Sequence, residues 1–283
     1  MNARLKPVQQ SVLLSLFMFV LVIGIWHLVT LPDTAAMAAD VDPEYAALMG
    51  GAAGATASGF PTPGAMADTI WSKLSDPFYD NGPNDKGIGI QLAHSLGRVL
   101  AGFSLAALLA IPLGFVIGGS RVIYDALDPY IQLLKPISPL AWMPLALYTI
   151  KDASTSAVFV IFICSLWPML INTALGVANV RRDWLDVART LEVKPLRRAF
   201  RVILPAAAPT ILAGMRISMG IAWLVIVAAE MLVGGTGIGY FVWNEWNNLS
   251  LTNVLFAILM IGVVGMALDS VFGVLSKRVA YQE

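Results

Sequence analysis

Residues 153–180 read ASTSAVFVIFICSLWPMLINTALGVANV and contain no Asp, Glu, Lys or Arg; residues 181–201, RRDWLDVARTLEVKPLRRAFR, then carry seven basic side chains against three acidic ones. A helix that crosses the hydrocarbon core needs about 20 mostly apolar residues. Lys and Arg gather in short loops on the cytoplasmic side of such helices. The junction at residue 180 therefore reads as a membrane span running into a cytoplasmic loop. Composition agrees: 58% of the 283 residues are hydrophobic and 13% charged, with mean hydropathy +0.74, whereas soluble domains average about 45–50% apolar and about 25% charged. A single cysteine, Cys164, excludes a disulfide scaffold, and a formal net charge of zero excludes a basic nucleic-acid binder.

Working outward, five further apolar stretches are expected to span, giving six transmembrane helices in an all-α integral membrane fold. They lie near 11–31, 92–119 (bracketed by Arg98 and Arg121), 129–150, 205–232 and 253–276, the last carrying Asp269 near its end. The third is interrupted by Lys135, Pro136, Pro139 and Pro144. The first follows Arg4 and Lys6 and is followed by TAAMAAD, which raises the question of a signal peptide. Its apolar run exceeds the about 7–15 residues of a signal-peptide core, so it is expected to be a retained helix.

The organisation that follows is a cytoplasmic N-terminus (1–10), a first span (11–31), an external connector (32–90), a core of five spans (91–276) and a cytoplasmic C-terminus (277–283). The connector holds eight acidic residues against Lys73 and Lys86, the opposite sign to 181–201. Its Ala/Gly-rich portion, 35–67, reads as a mobile connector. The part from Ala65 to Phe78 places Met66, Ile70, Trp71 and Leu74 on one side of an amphipathic surface helix. The second external loop, LVGGTGIGYFVWNEWNNLSL at 232–251, has four glycines in the wrong order for a phosphate loop. A tight turn anchored by Trp243 and Trp246 at the interface is expected instead.

Within 183–217 the pattern gives a short helix from Trp184 to about Val193, a break at Pro195, a basic stretch and a second break at Pro205. Leu185, Ala188, Leu191 and Glu192 share one stripe. A short helix bounded by a proline turn can dock in another protein's groove; a solvated basic loop is the alternative. The segment resembles the E-A-A-x3-G-x9-I-x-L-P loop of permease subunits of ABC importers. Asp186, Val187 and Ala188 stand at the E-A-A positions, Glu192 at the glycine, Val202 at the isoleucine, and Leu204 and Pro205 at L-P. With glutamate at the glycine position, the turn is expected to fall to Pro195. The resemblance runs from about residue 60 to 276 through FPTPGAM, HSLGRVLAGFSLA, IPLGFVIG, YDALDPYIQLLKPISPLAWMPLALY, WPMLINTALGV and AWLVIVAAEMLVGGTGIGYFVWNEWN. These are similar to the nitrate, sulfonate and taurine branch, nearest the nitrate-importer permeases of cyanobacterial type, with bicarbonate importers the nearest alternative.

That resemblance implies a type I ABC importer permease in a bacterial plasma membrane, working as a homodimer with the substrate path at the shared interface. It implies two cytoplasmic ATPase subunits that hold ATP and Mg2+, no cofactor in this chain, and a periplasmic or lipid-anchored solute-binding protein. The coupling loop, 181–204, would engage the ATPases through Trp184, Asp186, Ala188, Leu191 and Glu192, with Leu204 and Pro205 at its end. No P-loop occurs in the sequence, so ATP hydrolysis belongs to another chain.

Ionisable residues inside spans are costly, about 2.5–3.5 kcal/mol at mid-depth, and mark functional hypotheses by default. Arg216 can serve as a transient bidentate partner for a planar anion or pair with an intramembrane carboxylate. Lys135 can reach a cavity or snorkel to the interface. Glu230 repels an anion and reads as a gate or interface residue; fourteen positions from Arg216, about 21 Å along a helix, it is too far to pair with it. Asn172 can bond across helices or to substrate. Trp142, in the proline-broken stretch, completes the candidate path. An intramembrane enzyme has little support: His27 and His94 stand in separate regions without H-E-x-x-H.

Overall fold

The computed structural model describes residues 7–30, 60–82 and 84–279. Of the mobile connector expected over 35–67, residues 35–59 lie outside the described residues, as do 1–6 and 280–283, while 63–67 prove to be helical. Two compact units are distinguished: the described residues up to Pro77 with Glu245–Phe256, and Phe78–Asn244 with Ala257 onward.

In the first unit, α1 (Pro7–Val29) is a 23-residue apolar helix, and α2 (Pro63–Ser75) is a helix overlapping the stretch expected from Ala65 to Phe78. Thr62 caps α2 by accepting a hydrogen bond from the Ala65 N–H, and proline follows at the first helical turn. Met66 is buried, while Trp71 is 79% exposed. The indole of Trp26 in α1 donates to the Pro61 carbonyl and its ring meets Phe60 edge-on.

The second unit is built on α3 (Ile88–Gly119), α6 (Ala153–Ala178) and α9 (Leu204–Val233). In lipid, helices gain little from hiding apolar surface and associate through close van der Waals packing, which favours small residues at the contact. Here α3 presents Gly114 and Gly118 to α6. A Cβ at Gly118 would fall 2.3 Å from the Ala174 carbonyl oxygen, and one at Gly114 would fall 2.5 Å from Thr173 Cβ. Across the other face of α6, a Cβ at Gly214 of α9 would lie 2.5 Å from Asn172 Cβ. Asp152 caps α6 by accepting from the Thr155 N–H at 2.7 Å; these bonds from Thr155 hold its carboxyl below the usual carboxylate range. The last helix, α11 (Leu251–Val279), packs in its second-unit part through Phe272 on Phe103 and through the Trp223 indole, which donates to the Ile261 carbonyl.

Five helices are long and apolar enough to cross a membrane among the described residues: α1, α3, α6, α9 with its approach, and α11. The expected third span, 129–150, is not one helix. It is divided into α4 (Arg121–Leu134) and α5 (Pro139–Ile150). Pro136 and Pro139 cannot donate to a helical ladder and restrict the residues before them, so the chain turns through Lys135–Ser138. At 12 residues, α5 is about 18 Å long, short of the about 30 Å hydrocarbon core.

The basic loop holds α7 (Arg182–Thr190), a single turn α8 (Pro195–Arg198) and a π-helical turn, Ala199–Ile203, leading into α9. Pro205 sits in the first turn of α9, and widening the preceding turn accommodates a ring that would press on the carbonyl four residues back. The break after α7 falls at Glu192, not at Pro195. Glu192 adopts φ 51°, its N–H donates to the Arg189 carbonyl, and the Val193 N–H donates to that of Ala188. This is the hydrogen-bond pattern of a Schellman helix end, whose left-handed position is usually glycine. The turn thus sits at the position the family pattern assigns, and glutamate carries the strain. Because a left-handed L-residue costs about 1–2 kcal/mol, Glu192→Gly is expected to tighten the turn by about 1 kcal/mol. Amide exchange at Glu192 and Val193 should slow about fivefold; faster exchange would contradict this conformation.

Candidate functional sites

Three places concentrate polar chemistry. The first is buried, where α9 ends. Glu230 is 1% exposed and surrounded by donors. Arg98 of α3 reaches its carboxylate at 2.7 Å and with the same nitrogen donates to the Thr236 carbonyl, while its Nε donates to the Ser154 hydroxyl. The Ser95 hydroxyl, one turn earlier on α3, lies 2.8 Å from Glu230 Oε2 and donates to it. The glycine-rich turn comes back over these groups: the Gly239 N–H donates to Glu230, Ile238 N–H to the Ser95 oxygen, and Gly237 N–H to the Gln91 amide oxygen. Three N–H groups around the start of α10 (Ile238–Asn247) are thereby satisfied by side chains. Two glycines are needed for the approach. A Cβ at Gly237 would fall 2.2 Å from Glu230 Cδ, and one at Gly239 would fall 2.1 Å from the Val227 carbonyl oxygen. The loop that only loosely suggested a phosphate cradle thus cradles the chain's own carboxylate.

The second place is the α9–α11 pair. Arg216 and Asp269 form a two-point ion pair between guanidinium and carboxylate. Both side chains are about half exposed, 47% and 53%. Asn172 donates to the Pro168 carbonyl of its own helix at 2.8 Å. Lys135 ends α4 and borders two cavities: one of about 600 Å³ lined also by Tyr124, Asp128 and Gln132, and one of about 240 Å³ lined also by Ser138, Trp142 and Trp167. Trp142 and Lys135 are therefore brought together, whereas Arg216, Asn172 and Glu230 each belong to separate local arrangements.

The third place is the loop helix α7. Ala188 is buried, but Trp184, Val187 and Leu191 are exposed. Asp186 bonds to Arg189 at 3.0 Å, and the Arg181 guanidinium lies 5.7 Å from the Trp184 ring centre. Downstream, Ile203 and Leu204 pack against Val177, Ala207 and Ile211, which ties the end of the loop to the cores of α6 and α9.

Sequence reasoning missed Arg98, which had seemed only to bracket the second span. The available signal was arithmetic: Glu230 in an apolar helix requires a cation, and Arg216 on the same helix cannot supply it. Asp269, near the end of the sixth span, was visible as a candidate carboxylate for Arg216 but not assigned to it.

Long apolar helices packed through glycines, with two charge pairs, Arg98–Glu230 and Arg216–Asp269, closed inside the chain and a basic loop bearing a short amphipathic helix, define a multi-pass membrane protein. The chain belongs to the family of binding-protein-dependent transport system inner membrane components, whose pattern matches residues 110–281. It is 44% identical over 226 residues to the nitrate import permease protein NrtB of Synechocystis sp., covering 80% of this chain and 82% of that one. It is 38% identical over 278 residues to NrtB of Leptolyngbya laminosa, covering 98% and 91%. The bicarbonate transport system permease protein CmpB of Synechocystis sp. is 42% identical over 208 residues, 73% and 74% of the two chains. Among solved structures, the inward-facing MetNI methionine ABC transporter matches with TM-score 0.60 at 12% identity, over 68% of this chain and 95% of that one. An amino acid ABC transporter solved with histidines matches at TM-score 0.55 and 14% identity, over 76% and 97%. The fold is that of the type I ABC importer permeases.

The buried pair carries a prediction. Removing one partner of a buried ion pair costs about 3–5 kcal/mol because the other charge is stranded. Arg98→Ala and Glu230→Ala should each lower the melting temperature of the detergent-solubilised chain strongly. The double variant should lose less than the sum of the two. Additive losses would show that the pair does not act as a unit.

Proposed function

We propose that this chain is the membrane-spanning subunit of an ATP-driven importer for a small oxyanion, with nitrate as the substrate. The observation that carries this reading is the match to nitrate import permeases, in one case along 98% of the chain. Bicarbonate is the second reading, supported by a similarity of nearly the same strength to CmpB. In either case the chain is not itself an enzyme, and ATP with Mg2+ is held by two partner ATPase subunits.

The subunit works as a homodimer, receives its anion from an external solute-binding protein, and moves it by alternating access. The charge of the loops supports an orientation with both termini in the cytoplasm, since the basic segment 181–201 faces inward under the rule that cytoplasmic loops carry Lys and Arg. The membrane is the plasma membrane of a bacterium of cyanobacterial type. The loop 181–204 is the coupling element. Its helix α7 offers Trp184, Val187 and Leu191 as an apolar surface flanked by Asp186 and Arg189, and such a helix fits a groove on another protein. A displacement of α7 travels through Ile203 and Leu204 into the packing between α6 and α9. A push from the ATPase thereby reaches two of the three helices that hold the core.

Reversing the charge at the docking surface tests this. Asp186 is exposed, so Asp186→Arg should leave the helical content of the chain unchanged. Recovery of the ATPase subunits with the chain should fall, and ATP hydrolysis stimulated by the nitrate-loaded binding protein should drop at least tenfold. Unchanged recovery and stimulation would remove α7 as the coupling helix.

A further inference from the structure

The intramembrane cations of this chain are not equivalent. Arg98 is committed to Glu230, and Arg216 to Asp269 through two hydrogen bonds. Among the described residues no carboxylate lies within ion-pair distance of Lys135. It stands at the end of α4, where Pro136 and Pro139 halt the helical ladder, and it is shared by the linings of the two cavities.

The smaller cavity, about 240 Å³, is lined by Lys135, Ser138, Trp142, Cys164, Trp167 and Ile221 among others, with no acidic residue. Cys164, Trp167 and Pro168 belong to the middle of α6, which places this chamber at the depth of that helix's centre. Its polar groups lean one way. An ammonium offers three donors and no acceptor, an indole one donor and no acceptor, and a serine hydroxyl can donate. Neither the Trp142 nor the Trp167 indole N–H is engaged by another described residue. Asp128, on the lining of the larger cavity, is seven positions from Lys135, about 10 Å along a helix, and accepts a hydrogen bond from Gln132. The small chamber is therefore rich in donors, poor in acceptors and positively charged.

We propose that Lys135, with Ser138, Trp142 and Trp167, forms the transit site for the oxyanion within the membrane. This rests on the importer reading above and assigns the anion's place in it. Arg216, whose fork would clamp a planar anion, is occupied by Asp269. A lysine is a compact point charge with rotatable donors. It attracts a monovalent oxyanion without the fixed bidentate geometry that slows release, and conduction requires binding weak enough to leave. Its place in the linings of both cavities suits a group that hands an ion from one to the other.

The test uses the complete complex, with ATPase subunits and binding protein, in lipid vesicles. Lys135→Gln should be recovered as an assembled complex and import labelled nitrate at least tenfold more slowly. Lys135→Arg, which keeps the charge, should retain a third or more of the uptake. Lys151→Gln, beyond the spans, should import like the parent. Independently, nitrate should slow alkylation of Cys164 several-fold relative to chloride at equal ionic strength in the parent complex, and not in Lys135→Gln. The proposal is overturned by normal uptake in Lys135→Gln, by its failure to assemble, by equal losses in Lys135→Gln and Lys135→Arg, or by nitrate protection of Cys164 that survives Lys135→Gln. A parent complex that imports no small oxyanion would instead strike the importer reading itself.

Discussion

A carboxylate inside an apolar helix must be neutralised within the protein, because the bilayer offers it neither water nor counter-ion. In this chain that requirement is met at Glu230, and much of the second unit follows from how it is met. Arg98 supplies the opposite charge from α3, Ser95 a hydroxyl from the same helix, and the turn after α9 a backbone N–H. The end of α9, the start of α10 and the N-terminal part of α3 are fixed to one another by a single side chain. The glycines of the turn are the steric condition for it, since any side chain at Gly237 or Gly239 would occupy the space of the carboxylate or of the Val227 carbonyl.

Elsewhere the same unit is held by close approach. Gly114 and Gly118 bring α3 onto the backbone of α6, and Gly214 brings α9 onto Asn172. Two cavities lie instead where the packing is interrupted by proline. Pro136 and Pro139 end α4 before α5 begins, and the two chambers that share Lys135 open at that break. The close-packed part of the unit and the part that holds these two cavities therefore have separate sequence origins, glycine in one and proline in the other. The basic loop is joined to the rigid part through Ile203 and Leu204, which is where a movement imposed from outside would have to enter.

Much of this was legible before any coordinates. Uncharged runs mark α1, α3, α6, α9 and α11 because lipid forbids unpaired charge over the length of a span. The loop helix was legible because its spacing matches a family pattern at Asp186, Ala188, Leu204 and Pro205. What escaped was pairing and local geometry. Arg98 looked like the end of a span because composition does not show that a buried cation has its partner 132 positions away. The stretch 129–150 looked like one helix because apolarity outweighed its prolines. Glu192 looked unable to make a glycine's turn, but the Schellman bonds to Ala188 and Arg189 hold it at φ 51°. Tertiary hydrogen bonds overrode local preference in that turn and in the glycine loop.

The activity proposed for this chain is the carriage of a small oxyanion across the membrane at the expense of ATP hydrolysed by partner subunits. Uptake of labelled nitrate and labelled bicarbonate into vesicles bearing the assembled complex, with and without ATP inside the compartment that the basic loop faces, is its most direct test. ATP-dependent accumulation of nitrate, unaffected by excess bicarbonate, is the expected result. Accumulation that ignores ATP, or the absence of both anions from the vesicle interior, would contradict it.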